Sequence, residues 1–174
     1  MNVQATAAHN LSAAEAEHSA LTAAGEPEQQ YISFLLDGVE YGVDILRVQE
    51  IKGWDAATPV PSTPDYVLGL INLRGTVVPV IDLRRRFGLS PADDDRSQVV
   101  VIVRFEQEER TRVFGLVVDA VSEVYGVAAD QVGPPPEFGD TTHIDFVHGL
   151  VTLEDRMLIL LDVERLLSIE APAR

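Results

Sequence analysis

The chain of 174 residues contains no cysteine. That absence removes disulfides, thiolate nucleophiles and cysteine-type zinc sites together. Positive charge is also scarce. Thirteen Lys and Arg stand against 28 Asp and Glu, a net charge of −15, and Lys52 is the only lysine. Such a field repels phosphate backbones and anionic lipid, so no nucleic acid partner and no direct membrane insertion are expected. Most of the charge serves solubility, with a share available to steer basic patches of a partner into place. No apolar run approaches the roughly 20 residues of a membrane span. The first residues lack a positive region followed by an apolar stretch, so a cytoplasmic protein without a secretory signal is expected.

What is present is one pattern written twice. Residues 65–87 read DYVLGLINLRGTVVPVIDLRRRF and residues 145–167 read DFVHGLVTLEDRMLILLDVERLL. At an offset of 80, Asp65/Asp145, Val67/Val147, Gly69/Gly149, Leu70/Leu150, Leu73/Leu153, Asp82/Asp162 and Arg85/Arg165 coincide. Upstream, YGVDILRVQEI from Tyr41 echoes FGLVVDAVSEV from Phe114, matching Gly42/Gly115, Val48/Val121 and Glu50/Glu123. Two related halves imply a body with two similar faces, better suited to bridging partners than to enclosing one active site.

Residues 1–29 are rich in Ala, Glu and Ser, carry no Lys or Arg, and read as a disordered tail. They hold too little apolar surface to offset a backbone ordering cost of roughly 1–2 kcal/mol per residue. From Tyr31 the pattern turns to strands. Tyr31–Leu36 and Val39–Val43 flank Asp37-Gly38, a two-residue hairpin signal. Val77–Leu83 and Met157–Val163 are repeat partners, and Pro79 inside the first predicts an edge strand or a bulge. Gln98–Phe105 and Arg112–Val118 form a further pair around the acidic loop 106–109. Short helices are expected at Leu83–Phe87, closed by Gly88, and at Val163–Leu167. Many short strands with little helix, in two copies, predict an all-β fold of small barrels. Barrel halves of about 30–89 and 98–168 would share a core, because a unit of that size is marginal alone. Residues 169–174 are read as a C-terminal tail.

The run GLINLRGTVVPVIDLRRRFG at residues 69–88 closely resembles the signature of CheW-type chemotaxis coupling proteins. So do YGVDILRVQEI at 41–51, the following Thr58 and Pro61, and RMLILLDVERLL at 156–167. The resemblance covers residues 30 to 168. It implies two intertwined five-stranded SH3-like barrels and a scaffold without catalysis. It also implies docking near the cytoplasmic tip of chemoreceptors and pairing with the regulatory domain of the histidine kinase CheA, so that receptor state controls autophosphorylation in membrane-associated receptor arrays. Receptor-facing positions of the family fall on Val48, Glu50, Gly69, Arg74, Val121, Val124 and Gly149. Alternate valines suit the floor of a groove that receives a helix hairpin. The two glycines permit close backbone approach or simply bend the barrel. Arg74 offers a donor fork, and its repeat mate is Glu154, so the barrel itself is not expected to need a positive charge there.

The remaining chemistry-bearing residues read as structural. Asp44, Asp82, Asp119 and Asp162 lie near strand ends, where a carboxylate cluster could bind Mg²⁺ or accept a phosphoryl group. A receiver-type phosphoacceptor, however, needs alternating strands and helices with a lysine at the pocket. Asp82 and Asp162 are repeat mates, which points to capping of the short helices that follow. His9, His18, His143 and His148 show no metal-ligand spacing. No nucleophile-elbow, metalloprotease or phosphate-loop motif occurs, so no enzyme, cofactor or metal is expected.

Overall fold

The computed structural model describes residues 28–92, 97–135 and 146–168. The expectations for the tail through residue 27, the strip Asp93–Asp95, His143, Asp145 and residues 169–174 lie outside the described residues. Glu28 and Gln29, read as the end of the tail, already belong to a strand. The elements run β1 (Glu28–Leu36), β2 (Val39–Asp44), β3 (Val48–Gly53), β4 (Val67–Leu73), β5 (Thr76–Asp82), α1 (Leu83–Arg86), β6 (Val99–Gln107) and β7 (Arg110–Val118). They continue as β8 (Ala120–Ala128), β9 (Val132–Gly133), β10 (Val147–Thr152), β11 (Met157–Leu161) and α2 (Val163–Ser168). The fold is all-β, as expected. No helix among the described residues is long and apolar enough to cross a membrane.

The strands form two barrels with the same internal order. The first is β8-β1-β2-β11-β10-β9, and the second is β3-β6-β7-β5-β4 extended by a bridge between Thr58 and Leu70. The repeat relates β2 to β7, β3 to β8, β4 to β10 and β5 to β11, so one order maps onto the other. Yet neither barrel is a sequence half. Each takes strands from both sides of residues 89–97, and the division at 30–89 and 98–168 is corrected accordingly. The joint is a parallel pairing that no short connection can make. Gly42 of β2 lies opposite Leu160 of β11, and Gly115 of β7 lies opposite Val80 of β5. A Cβ on Gly42 would stand 3.2 Å from Leu160, and one on Gly115 would stand 2.8 Å from Val100 and 3.3 Å from Val80.

This exchange explains the long apolar runs. In β6, Val100 and Ile102 fill the second barrel, while Val101, Val103 and Phe105 face a core shared between the barrels. A strand buried on both faces cannot alternate apolar with polar. The shared core also takes Ile32, Phe34 and Leu36 of β1, Leu83 of α1, and Val163, Leu166 and Leu167 of α2. The first barrel keeps a smaller interior of Tyr31, Val127, Val151, Leu158 and Leu160.

Turns follow local chemistry with two exceptions. Leu36 pairs with Val39 across Asp37 (φ 51°) and Gly38 (φ 78°), as the Asp-Gly pair predicts. The expected acidic loop at 106–109 is shorter, because Gln107 pairs with Arg110 and only Glu108 (φ 50°) and Glu109 (φ 63°) turn. The ladder overrides a left-handed penalty of about 1–2 kcal/mol per residue. Pro79 is neither at an edge nor at a bulge, since β5 runs between β7 and β4. It sits one residue before the parallel ladder begins at Val80, where no donor is required.

Matching bulges lie in β4, between Val67 and Gly69, and in β10, between Val147 and Gly149. At each, a neighbouring segment paired to the strand comes close against the glycine. A Cβ on Gly69 (φ 139°) would overlap the Thr58 carbonyl, whose carbon lies 2.6 Å away. A Cβ on Gly149 would come within 2.5 Å of Val132 and 2.7 Å of the Gly133 oxygen.

At the start of β8, Asp119 ties three elements together. Its carboxylate takes a two-pronged bond from Arg84 of α1 at 2.6 Å and the amide of Asp37 at 2.9 Å, while its own amide bonds to Leu35 at 3.0 Å. Burial opposes ionisation of Asp119, but the Arg84 fork and the Asp37 amide outweigh it and hold the carboxyl below the usual range. Asp82 goes the other way, raised by burial against its backbone bonds at the head of α1.

Two predictions follow from these contacts. Gly69→Ala should destabilise the fold by about 3 kcal/mol, against about 1 kcal/mol for Gly75→Ala, where φ is also positive but space is open. Equal small losses in urea unfolding would contradict this close approach. Because its folded pKa is depressed, Asp119 contributes stability above its unfolded value of about 4 that is lost as pH falls through the folded value. Asp119→Asn should therefore cost about 2 kcal/mol at pH 7 and progressively less in acid, read from denaturant curves between pH 2 and 7.

Candidate partner-binding surface

Strands β3 and β8 carry most of the candidate residues. Each is the first strand of its barrel, paired on one side only, β3 with β6 and β8 with β1. Val48 opens β3 opposite Val103, and Val121 in β8 lies opposite Phe34. Both valines are half-buried against the same shared core, so the repeat mates flank one central feature. Val124, opposite Ile32, is 47% exposed. Glu50 and Arg74 meet directly. The Arg74 Nη1 donates to Glu50 at 2.5 Å, and the Arg74 side chain stays 75% exposed. Arg74 projects because it occupies a left-handed turn position (φ 52°) with Gly75, between the paired ends Leu73 and Thr76.

Gly69 and Gly149 do not join that surface. Both are buried, one beneath the Thr58 segment and the other beneath β9. The close approach expected of them is real, but the chain itself makes it. At both positions the contact seen is with a neighbouring segment paired to the strand, Thr58 beside β4 and β9 beside β10.

The first barrel holds a polar cluster that sequence reasoning missed. Arg156, in the β10–β11 turn, bonds through Nε to Glu40 at 3.1 Å and through Nη2 to Glu123 at 2.7 Å. It also donates to the Tyr125 hydroxyl. Tyr125 donates toward Glu123 and lies 3.1 Å from Glu40. Burial, followed by the bonds to Glu123 and Glu40, pushes the Tyr125 phenol well above its ordinary value. Glu40 is only 5% exposed and takes the Ser33 hydroxyl at 2.7 Å.

Glu123 is the repeat mate of Glu50, so each barrel binds this glutamate with an arginine from its neighbouring hairpin turn. The expectation that the barrel needs no positive charge at the turn of Arg74, drawn from Glu154 as its repeat mate, thus meets an arginine at this turn in both barrels. The signal existed in the Glu50/Glu123 match, but an offset of 80 sets Arg74 against Glu154 and hides a charge moved two places along the turn. Among the described residues the second barrel shows no such cluster. Ile102 and Val113 replace Ser33 and Glu40 and pack in its apolar interior.

The four aspartates have structural partners. Asp44 takes the Leu46 amide at 2.9 Å and Gln29 at 2.7 Å, and Asp82 takes the Arg84 amide at 3.0 Å. Asp162 takes the Arg165 amide at 3.1 Å, matching the helix-capping expectation for the repeat mates. Among the described residues no group of three or more His, Cys, Asp or Glu could hold a metal ion.

The surface so built combines edge strands, the exposed Val124 and the exposed Arg74 guanidinium. Comparison with known proteins agrees. A family model described as the CheW-like domain matches residues 30–171. The chain is 46% identical over 145 residues to the chemotaxis protein CheW of Klebsiella aerogenes, covering 83% of this chain and 85% of that relative. It is 37% identical over 149 residues to a probable chemotaxis protein CheW of Rhizobium etli, covering 86% of this chain and 94% of that one. Among solved structures, the scaffolding protein TtCheW from Thermoanaerobacter tengcongensis aligns with a TM-score of 0.71 at 33% identity, covering 82% of this chain and 89% of that chain. With exchanged barrels, paired edge strands and these matches on one chain, the protein belongs to the CheW-like family and is a chemotaxis coupling adaptor.

Proposed function

We propose that this adaptor acts in the cytoplasm without catalysis of its own, coupling the cytoplasmic tips of chemoreceptors to the regulatory domain of the histidine kinase CheA and so controlling its autophosphorylation within receptor arrays. The observation that carries the reading is the pair of equivalent edge strands flanking one core. Val48 and Val121 stand at equivalent positions beside it, and Val124 and the Arg74 guanidinium are exposed nearby in the same two barrels. An edge strand with alternate aliphatic side chains suits the apolar side of a helix hairpin, and the guanidinium suits a carboxylate or backbone carbonyls at its margin. Gly69 and Gly149 contribute by letting the Thr58 segment and β9 pack close against β4 and β10. The kinase would engage the barrel ends, leaving the groove free for the receptor.

Contacts of this kind reach micromolar affinity, around −8 kcal/mol, and gain avidity from arrays. The decisive experiment is co-sedimentation of the purified chain with a receptor-tip fragment and with the kinase regulatory domain, with Arg74→Glu in parallel. The variant should lose about tenfold or more in receptor affinity and keep kinase binding. Its thermal midpoint should hardly move, because an ion pair this exposed contributes at most about 1 kcal/mol. Failure of the wild-type chain to bind either partner would end the coupling reading. An unfolded variant would reassign Arg74 to the scaffold.

A further inference from the structure

The two arginine–glutamate pairs are equivalent by position but differ in how deeply they reach into the fold. Arg74 bonds one acceptor and remains 75% exposed. Arg156 serves two carboxylates and a phenol, and one of those carboxylates, on Glu40, is buried. The difference matters because of what lies beneath Arg156. The ladder between β1 and β8 breaks between Ile32 and Phe34, where Ser122 and Glu123 face the single residue Ser33. A bulge of this kind leaves a backbone donor outside the ladder. Here the Glu123 amide donates to the Ser33 hydroxyl at 3.1 Å, and that hydroxyl donates to Glu40 at 2.7 Å. Glu40 is in turn neutralised by Arg156. Arg156 therefore holds the bulge twice, through the Glu123 side chain and through Glu40, Ser33 and the Glu123 amide.

The bulge lies between Val121 and Val124, and because these pair with Phe34 and Ile32 it brings both valines to the same face of β8, Val121 half-buried against the shared core and Val124 47% exposed. In the second barrel the equivalent bulge, between Val48 and Glu50, lies against Ile102, whose side chain has no polar atom to fill the ladder. We propose that Arg156 is the positioning residue for the β8 half of the partner-binding surface, while Arg74 on the β3 half is free to be taken by a carboxylate of the partner. The division of labour rests on the receptor-binding reading given above, whereas the positioning of β8 is a property of the chain alone.

Amide hydrogen exchange on the full-length chain tests the positioning directly. Arg156→Gln should speed exchange at the Glu123 amide at least tenfold and leave the β3 amides unchanged. Ser33→Ala should reproduce that local effect with the Arg156–Glu123 pair intact. Arg156→Lys, which restores charge without the fork, should fall between. Arg74→Gln should leave both strands as they are. Binding of the receptor-tip fragment to Arg156→Gln should weaken about tenfold with the unfolding transition still cooperative. An unchanged Glu123 amide, equal acceleration across both barrels, or faster exchange with undiminished binding would each overturn the proposal. If the wild-type chain fails to bind the fragment, the receptor reading falls, and the exchange data still decide whether Arg156 positions β8.

Discussion

The rest of the structure depends on two short parallel ladders, β2 against β11 and β5 against β7. Each joins a strand from one repeat to a strand from the other, so neither barrel closes without both repeats. The glycines Gly42 and Gly115 mark these joints, because the facing side chains leave too little room for a Cβ. Once the strands have crossed over, the face of each sheet that would otherwise meet water meets the other barrel instead. The shared core is the result, and it is larger than either barrel's own interior. A half-length unit would bury too little apolar surface to offset its ordering entropy, and exchange removes that limit by pooling two interiors.

On this symmetric frame the side chains are arranged asymmetrically. Tyr66 and Phe146 are repeat mates and therefore stand at equivalent places. Arg86 lies between them, its guanidinium 4.8 Å from the Tyr66 ring and 4.3 Å from the Phe146 ring. One cation thus links the two repeats through ring faces, a contact of about 1 kcal/mol or more when shielded from water. The repeat mate of Arg86 is Leu166, which is fully buried in the shared core. The polar plug of the first barrel and the apolar interior of the second show the same principle. Duplicated backbones tolerate divergent contents as long as volume and hydrogen bonding are satisfied locally.

Much of this was legible in the sequence, for identifiable reasons. The repeat, the Asp37-Gly38 hairpin and the aspartate caps of both helices are local features, encoded within a few residues of where they act. The exchange of strands was not legible from the residues, because parallel partners lie far apart and β6, buried on both faces, shows no alternation to reveal its neighbours. Pro79 misled because the rule against proline in an internal strand concerns donors, and this position precedes the ladder. Arg156 escaped because partners converge in space while the repeat was aligned by a fixed offset. The glycines Gly69 and Gly149 were recognised as sites of close approach, but sequence cannot say whether what approaches is a partner or the chain itself.

The crossed arrangement also governs how the protein is made. When the first repeat has left the ribosome, β4 and β5 can form a hairpin, but the second barrel still lacks β6 and β7, and the first lacks everything from β8 onward. Gly42 waits for Leu160, almost the whole length of the folded region. Contacts this distant in sequence are slow to form, and until they do the apolar faces of β1, β2 and β5 stay uncovered. The architecture that gives the adaptor two matched faces thus obliges the nascent chain to remain open nearly to its end.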